Sequence, residues 1–219
     1  MGACASGASS DPVTARIDAE LRRERDVERD KVKLLLLGTG ESGKTTIFKQ
    51  MKILYGKPYT AAELEALALV IRSNCAVFIS ALAAFCEEQS LLPLGAGAQA
   101  AFRTLLAELG SLDGASVERN AGLCVRHAAE MKEAWASDAM KKAWARRGET
   151  GVIDGHDTFL NQLDRIVADG YVPELGDVLL SRVRTEGITS HQYLIPNNPQ
   201  APAGDQHCTT FEIFDVGGQ

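Results

Sequence analysis

The segment that most constrains this chain reads GTGESGKT from Gly38 to Thr45. It matches the pattern GxxxxGK[ST] at every fixed position, follows the short apolar run Val32–Leu37, and precedes helical spacing over Lys44–Leu54. An apolar run of this length that stops at glycine is typical of a parallel strand buried on both faces. A plain glycine turn is the simpler alternative, but motif and context together favour a phosphate-binding loop.

The chemistry expected of this loop follows from its backbone. Glycines let the main chain approach phosphates closely with its N–H groups pointing inward, and the helix N-terminus adds a positive dipole. Lys44 is expected to contact the outer phosphates, and the Thr45 hydroxyl to ligate Mg²⁺. The sequence therefore predicts binding of a nucleoside triphosphate.

Asp215 begins a second candidate motif, DVGG, directly after the apolar stretch Thr209–Phe214. An acidic residue at this strand end could contact Mg²⁺ through water, and the DxxG spacing would bring the Gly218 N–H to the γ-phosphate. Alone, such a motif is more often a plain turn, and the phosphate-binding loop makes it informative. The basic segment Arg182–Thr185 has no such context and could equally be a linker.

The chain between these motifs changes character twice. From Thr60 to about Ser181 the pattern is helical, opening on a capping box at Thr60–Glu63 and interrupted first at Pro93. Strand patterns return at His191–Ile195 and Thr209–Phe214, so an α/β domain in two pieces is expected to flank an all-helical insertion. Shorter helices are predicted at 98–109, 121–134, 135–146 and 157–168, with another beginning at Pro173.

Composition excludes several classes. A net charge of −6 argues against a general nucleic-acid binder, so no nucleic-acid partner is expected. Five scattered cysteines without CxxC spacing indicate reduced thiols rather than a zinc site. No uninterrupted run of about eighteen apolar residues occurs, so no membrane-spanning segment is predicted.

The N-terminus carries a short modification pattern. Met1–Ser6 reads MGACAS and fits the pattern for myristoylation of Gly2, with Cys4 placed for a palmitoyl group that would make attachment stable. An unmodified flexible tail is the alternative. The densely charged stretch that follows predicts an exposed helix with a sparse apolar stripe at Val13, Ile17 and Leu21. Whether that helix is solvated or docks a partner stays open.

Four segments together resemble the α subunits of heterotrimeric G proteins. Lys33–Leu54 is similar to that family's first strand, phosphate-binding loop and first helix, and Phe159–Val167 to a late helix of its helical domain. Leu179–Ile188, which follows Tyr171–Pro173, resembles its switch I region. Phe214–Gln219 resembles the start of switch II. The resemblance spans nearly the whole chain and is weakest in the middle of the helical part.

The resemblance implies a fold and its boundaries. We expect an α/β fold of the P-loop GTPase (Ras-like) type, incomplete at its C-terminus, with an inserted all-helical domain. The implied parts are a lipidated tail and N-terminal helix at 1–31, the first GTPase segment at 32–59, the helical insertion at 60–176, and switch I, two strands and the start of switch II at 177–219.

The resemblance also implies roles for individual residues. Arg182 matches a catalytic arginine that stabilises charge on the γ-phosphate, and Gln219 a glutamine that orients the attacking water. Thr185 matches a switch I threonine that ligates Mg²⁺ with Thr45, and Asp215 acts on the metal through water. The nucleotide-binding set implied is Gly38, Gly40, Glu41, Ser42, Gly43, Lys44, Thr45, Thr46, Asp154, Gly155, Leu179, Arg182, Thr185, Asp215 and Gly218.

The implied function is a switch that binds and hydrolyses GTP and couples membrane receptors to effectors. Its ligands are GTP and GDP with Mg²⁺ as cofactor. Its partners are a βγ dimer docked on the N-terminal helix, a G protein-coupled receptor, an effector and a GTPase-activating regulator. Lipidation at Gly2 and Cys4 implies a peripheral location on the cytoplasmic face of the plasma membrane.

One departure from the family's pattern qualifies these expectations. The family's guanine-reading NKxD motif and its later TCAT-like loop do not occur in the 219 residues. We therefore expect an incomplete product that binds GTP weakly on its own. The alternative function is a non-catalytic interaction protein that keeps the N-terminal helix and competes for G-protein partners. An ATP-using P-loop enzyme is disfavoured by the switch I resemblance.

Overall fold

The structure is a computed structural model of the 219-residue chain. It describes residues 12–29, 31–39, 42–91, 93, 95–110, 112, 116–150, 155–183, 187–198 and 208–216. The chain divides into two compact units. The described residues within Met1–Gly56 and Thr185–Gln219 form the first unit, and those within Lys57–Arg184 form the second.

The first unit is built on a three-stranded sheet. Its elements are α1 (Pro12–Arg29), β1 (Lys31–Leu36), α2 (Lys44–Tyr55), β2 (Ile188–Pro196) and β3 (Cys208–Val216). The strand order is β1-β3-β2, with β1 parallel and β2 antiparallel to β3. The parallel register places Leu36 beside Asp215, so both strands end at the same edge of the sheet. The glycine-rich loop leaves β1 at that edge.

The predicted strand before the glycine-rich loop is present, but the prediction that it is buried on both faces is wrong. Val32 is 40% exposed, Leu34 41% and Leu35 55%. Val32 and Leu34 lie on one face of the strand and Leu35 on the other, so the described residues cover neither face fully. Within the described residues β1 is also the edge strand, paired with β3 alone. Strand β2 is longer than the predicted His191–Ile195 because its antiparallel pairing with β3 continues to Ile188 and Pro196.

The helix predicted after the N-terminal tail is α1. Its stripe residues are exposed, with Val13 at 62%, Ile17 at 51% and Leu21 at 46%. Glu28 near its C-terminus forms ion pairs with Lys31, at 3.0 Å, and with Lys33. These two lysines lower the pKa of the Glu28 carboxyl, and the pairs connect the end of α1 to β1.

All the regular secondary structure described in the second unit is helical. These are α3 (Ala61–Glu88), α4 (Ala96–Leu109), α5 (Val117–Arg126), α6 (Ala128–Ala136), α7 (Asp138–Ala145), α8 (His156–Asn161), α9 (Leu163–Val167) and α10 (Leu175–Leu180), with a short 3-10 turn at Arg147–Glu149. The predicted capping box is confirmed at the start of α3, where the Thr60 hydroxyl accepts from the Glu63 N–H at 3.2 Å. The Glu63 carboxylate accepts in return from the Thr60 N–H at 2.8 Å.

The centre of the second unit is α3. Ile71, Ile79 and Leu82 are fully buried in a core to which α4 through α9 contribute. By length and mean hydropathy α3 is also long and apolar enough to cross a membrane, although its sequence contains no uninterrupted apolar run of about eighteen residues. Since 56% of its most apolar window is buried inside the protein, we interpret α3 as the core helix of this unit.

Two predicted helices are each divided in two. The stretch 121–134 breaks at His127, which ends α5 and precedes α6 with φ −107° and ψ 24°. The stretch 157–168 breaks in the same way at Gln162, between α8 and α9. Neither residue is a glycine or proline, so no local signal marks the break. The helix expected from Pro173 begins two residues later, with Glu174 as its N-cap.

Candidate functional site: a phosphate-binding loop

The glycine-rich loop has the backbone that its sequence requires. Gly43 is the N-cap of α2 with φ +87°, a left-handed conformation that favours glycine. A Cβ on Gly38 would collide with the Ser42 side chain, so the loop packs closely on itself. The first turn of α2 contains no acidic residue. The turn itself therefore adds no acidic side chain that would disfavour an anion bound at its N–H groups.

Lys44 lies across this loop. Its Nζ donates hydrogen bonds to the main-chain oxygens of Gly38 at 2.8 Å and Thr39 at 2.7 Å, and lies 3.5 Å from the Ser42 hydroxyl. The ammonium group is thus held over the loop's own backbone. A compact cation on a flexible stem can exchange such carbonyl contacts for phosphate oxygens.

The loop meets the end of β3 through Thr45. The Thr45 hydroxyl donates a hydrogen bond to Asp215 Oδ2 at 3.3 Å, although the two residues are 170 positions apart. Asp215 is 2% exposed. The parallel register of β1 and β3 explains this contact, because it brings the end of both strands to one edge of the sheet.

The donor set at this edge fits Mg²⁺. A hydroxyl oxygen and a buried carboxylate lie within 3.3 Å of each other, and hard oxygen ligands are those that Mg²⁺ takes. Thr45 would hold the ion directly and Asp215 through a water molecule. A bound Mg²⁺ supplies charge neutralisation on phosphate oxygens.

The second unit contains three residues of the predicted site that the structure describes. Gly155 has φ +93°, and a Cβ there would lie 3.2 Å from Leu180 Cδ2, so Gly155 adjoins the end of α10. Leu179 is half-buried in the same helix, and Arg182 follows it with its side chain exposed. Among the predicted site residues of this unit, the structure therefore places Gly155 close to α10, the helix that contains Leu179.

Several predicted residues lie outside the described part of the chain. These are Gly2, Cys4, Gly40, Glu41, Asp154, Thr185, Gly218 and Gln219. Thr46 is described and is exposed at the start of α2. The roles assigned to all of these residues stay predictions.

Sequence reasoning missed the polar contacts that hold the segment around Arg182. Asn74 of α3 donates from Nδ2 to the main-chain oxygen of Arg182 at 3.2 Å. Asp177 of α10 accepts two hydrogen bonds from the Arg165 guanidinium, at 2.7 and 2.8 Å, and a third from the Tyr171 hydroxyl at 2.9 Å. Hydrogen bonding to Arg165 lowers the pKa of the Asp177 carboxyl. No local pattern signals these pairs, since their partners meet only in the folded chain.

Lys49 is another residue that no motif in the sequence singles out. It is buried in α2 at 8% exposure, and burial lowers the pKa of its ammonium group from 10.5 to about 8. Removal from water disfavours the charged form of a lysine. Its position, four residues after the Thr45 that contacts Asp215, places this titratable group in the helix that follows the loop.

Comparison with known proteins agrees with these observations. The family model described as G-protein alpha subunit matches residues 11–219. The chain is 34% identical over 204 residues to the guanine nucleotide-binding protein alpha-16 subunit of Caenorhabditis briggsae, covering 93% of this chain and 53% of that protein. It is 32% identical to guanine nucleotide-binding protein subunits alpha of Coprinellus congregatus and Cochliobolus heterostrophus, covering 58% and 53% of their lengths.

The site combines a parallel strand, a glycine-rich loop with the pattern GxxxxGK[ST], and an acidic residue at the end of the neighbouring strand, which together are the features of a P-loop domain. Within that class, the chain belongs to the G-protein alpha subunit family. It spans about half the length of the curated relatives it matches.

Proposed function

We propose that this chain binds the phosphates of GTP and GDP with Mg²⁺ and is part of a GTPase switch of the heterotrimeric G-protein type. The observation that carries the proposal is the contact between Thr45 and Asp215 at the end of the phosphate-binding loop. This contact joins a hydroxyl of the kind that ligates Mg²⁺ to a buried carboxylate, and the Lys44 ammonium group is held over the backbone of the same loop. Family membership supports guanine as the base.

In the proposed hydrolysis of GTP, side chains and backbone groups of the chain position the reactants and neutralise charge, and they form no covalent bond with the substrate. Phosphoryl transfer depends on positioning and on neutralising the charge of the phosphate oxygens. Lys44 and the first turn of α2 would bind the outer phosphates, with Thr45 and Thr185 on Mg²⁺. Arg182 would stabilise the γ-phosphate charge, and Gln219 would orient the attacking water. Loss of the γ-phosphate would release the segments that contain Thr185 and Gly218.

The helical unit and the N-terminus complete the proposal. We propose that the unit within Lys57–Arg184 is the inserted helical domain of the family, with Asp154, Gly155 and Leu179 next to the nucleotide. The exposed stripe on α1 supports docking of a βγ dimer there. Lipids on Gly2 and Cys4 would hold the chain at the cytoplasmic face of the plasma membrane, where receptor, effector and GTPase-activating regulator act.

Nucleotide titration of the purified chain tests the proposal. A fluorescent GTP analogue should bind in the presence of Mg²⁺ and bind much more weakly in excess chelator, and GTP and GDP should displace it better than GMP. Lys44→Met should abolish this binding, whereas the same change at exposed Lys57 should not. Equal competition by GMP and GTP, or binding unaffected by Lys44→Met, would refute the phosphate site. Competition by ATP in the same titration measures base selectivity. The Kd for GTP tests the weak GTP binding predicted from the sequence.

A further inference from the structure

The main chain of Arg182 is anchored to the core helix of the second unit. The side-chain amide of Asn74 on α3 donates to the Arg182 main-chain oxygen at 3.2 Å, across 108 positions of sequence. Asn74 lies between Ser73 and Cys75, which are 3% and 1% exposed. The donor is therefore carried on a turn of helix that is fixed by packing.

The segment that precedes Arg182 is also bound to α3 at its N-terminal end. Arg72 donates from Nε to the main-chain oxygen of Ile166 at 2.8 Å and from Nη2 to that of Ala168 at 3.0 Å. Arg72 and Asn74 thus bind the two ends of the segment from Ala168 to Arg182.

Between these ends the segment is fixed internally. Asp177 joins Arg165, Tyr171 and the Glu174 N–H, which donates at 2.9 Å. The last turn of α10 closes with the Ser181 N–H donating to the Asp177 main-chain oxygen at 2.8 Å. One residue further along the chain, the Arg182 carbonyl accepts from the Asn74 side-chain amide.

We propose that Asn74 is a positioning residue for Arg182. By holding the Arg182 carbonyl, the Asn74 amide limits the rotation of the peptide group that follows the Arg182 Cα and so restricts the volume that the guanidinium can reach. A side chain that must meet a developing charge acts best when its supporting contacts are already formed. The catalytic part of this inference rests on the proposed function, and the anchoring part does not.

The anchor is tested by proteolysis of the full chain. Asn74→Asp keeps the side-chain shape but replaces the N–H donor by an oxygen, which repels the Arg182 carbonyl. Asn161→Asp is the matched control, because Asn161 accepts from the Trp135 indole N–H at 2.8 Å and a carboxylate oxygen still accepts. Trypsin cleavage after Arg182, followed by mass spectrometry, should be about three- to tenfold faster in Asn74→Asp alone. Unchanged cleavage, or an equal increase in both variants, would overturn the anchor.

The catalytic role is tested by a double-mutant cycle on single-turnover GTP hydrolysis. Asn74→Asp should slow hydrolysis about three- to tenfold with the nucleotide Kd unchanged, and should have no further effect in the Arg182→Ala background. A loss of the same size in both backgrounds, or a weakened Kd that accounts for the slower rate, would overturn positioning through Arg182. If the unsubstituted chain hydrolyses no GTP, the catalytic role in this chain fails, while the nucleotide titration still decides the proposed phosphate site and cleavage after Arg182 still decides the anchor.

Discussion

The Thr45 hydroxyl and the Asp215 carboxylate lie 3.3 Å apart, although 170 positions of sequence separate them. The residues of the helical unit separate them in the sequence, so the site needs both segments of the first unit. Their contact depends on the parallel pairing of β1 with β3, in which Leu36 stands beside Asp215. The sheet register therefore assembles the proposed metal site.

Replacement of Thr45 by valine should remove the Mg²⁺ dependence of nucleotide binding. Valine keeps the shape of threonine but has no oxygen to place on the metal, and buried Asp215 loses one donor. The free energy of unfolding should also fall by about 1–3 kcal/mol, the cost of removing a partner from a buried polar group. Magnesium titrations of nucleotide affinity and urea unfolding measure the two effects. Thr45→Ser keeps the hydroxyl and should behave like the parent. A valine variant that still needs Mg²⁺ would exclude Thr45 as a ligand.

Gly43→Ala should destabilise the loop through its backbone alone. Gly43 has φ +87°, and no atom lies within 4 Å of the position its Cβ would occupy. The cost is therefore conformational, about 1–2 kcal/mol for an L-residue in the left-handed region. Urea unfolding should show this loss, while Gly148→Ala, which also meets open space but at an ordinary φ, should change little. Equal stability of the two variants would contradict a strained turn.

Sequence reasoning could predict the part of the site that depends on local pattern. The loop at Gly38–Thr45 needs a strand before it and a helix after it, and both elements are present as β1 and α2. Asp215 is also predicted, because it follows a strand in a chain that carries a phosphate-binding loop. The parallel pairing of β1 with β3, which brings Asp215 to the same sheet edge as the loop, is a finding of the structure. The capping box at Thr60–Glu63 is likewise a contact between near neighbours.

Contacts between distant residues could not be predicted in this way. Asn74 reaches Arg182 only because α3 and the segment after α10 pack together, and an asparagine inside an apolar helix carries no signal of its partner. The expectation that both faces of β1 are buried is wrong, since apolar composition does not show which elements pack above and below a strand. The break at His127 depends on how α5 and α6 pack, and neither residue type nor spacing marks it.

Asp177→Asn should destabilise the helical unit at neutral pH by roughly 2 kcal/mol, since a buried carboxylate loses its charge-assisted bonds to Arg165. The pKa of Asp177 is lowered in the folded state, so its ionised carboxyl stabilises the fold above pH 3.8, the ordinary pKa of the group. This stabilisation is lost as the pH falls through the folded-state pKa. Urea unfolding of both proteins from pH 7 to pH 3 should show the gap narrowing toward acid. Asp164→Asn removes an exposed pair with Lys132 and should cost less than about 1 kcal/mol. A gap that is constant with pH would contradict an ionised Asp177.

Lys49 should make the stability of the first unit depend on pH in the alkaline range. Burial lowers the pKa of Lys49 from 10.5 to about 8, so below pH 8 the ammonium group is charged in both the folded and unfolded states and its desolvation cost is complete. Between pH 8 and 10.5 the unfolded chain binds more protons at this residue than the folded chain. The free energy of unfolding of the parent, measured relative to Lys49→Met, should therefore rise over that interval.

Referencing the parent to Lys49→Met at each pH removes the contribution of other groups that titrate in the same range. Urea unfolding at pH 7.5, 8.5 and 9.5 is sufficient to see the trend. Lys57→Met serves as the control for loss of one positive charge, because Lys57 is exposed. A flat difference for Lys49→Met would show that Lys49 reaches solvent in the folded protein. The buried lysine would then have no part in the alkaline stability of the helix that follows the phosphate-binding loop.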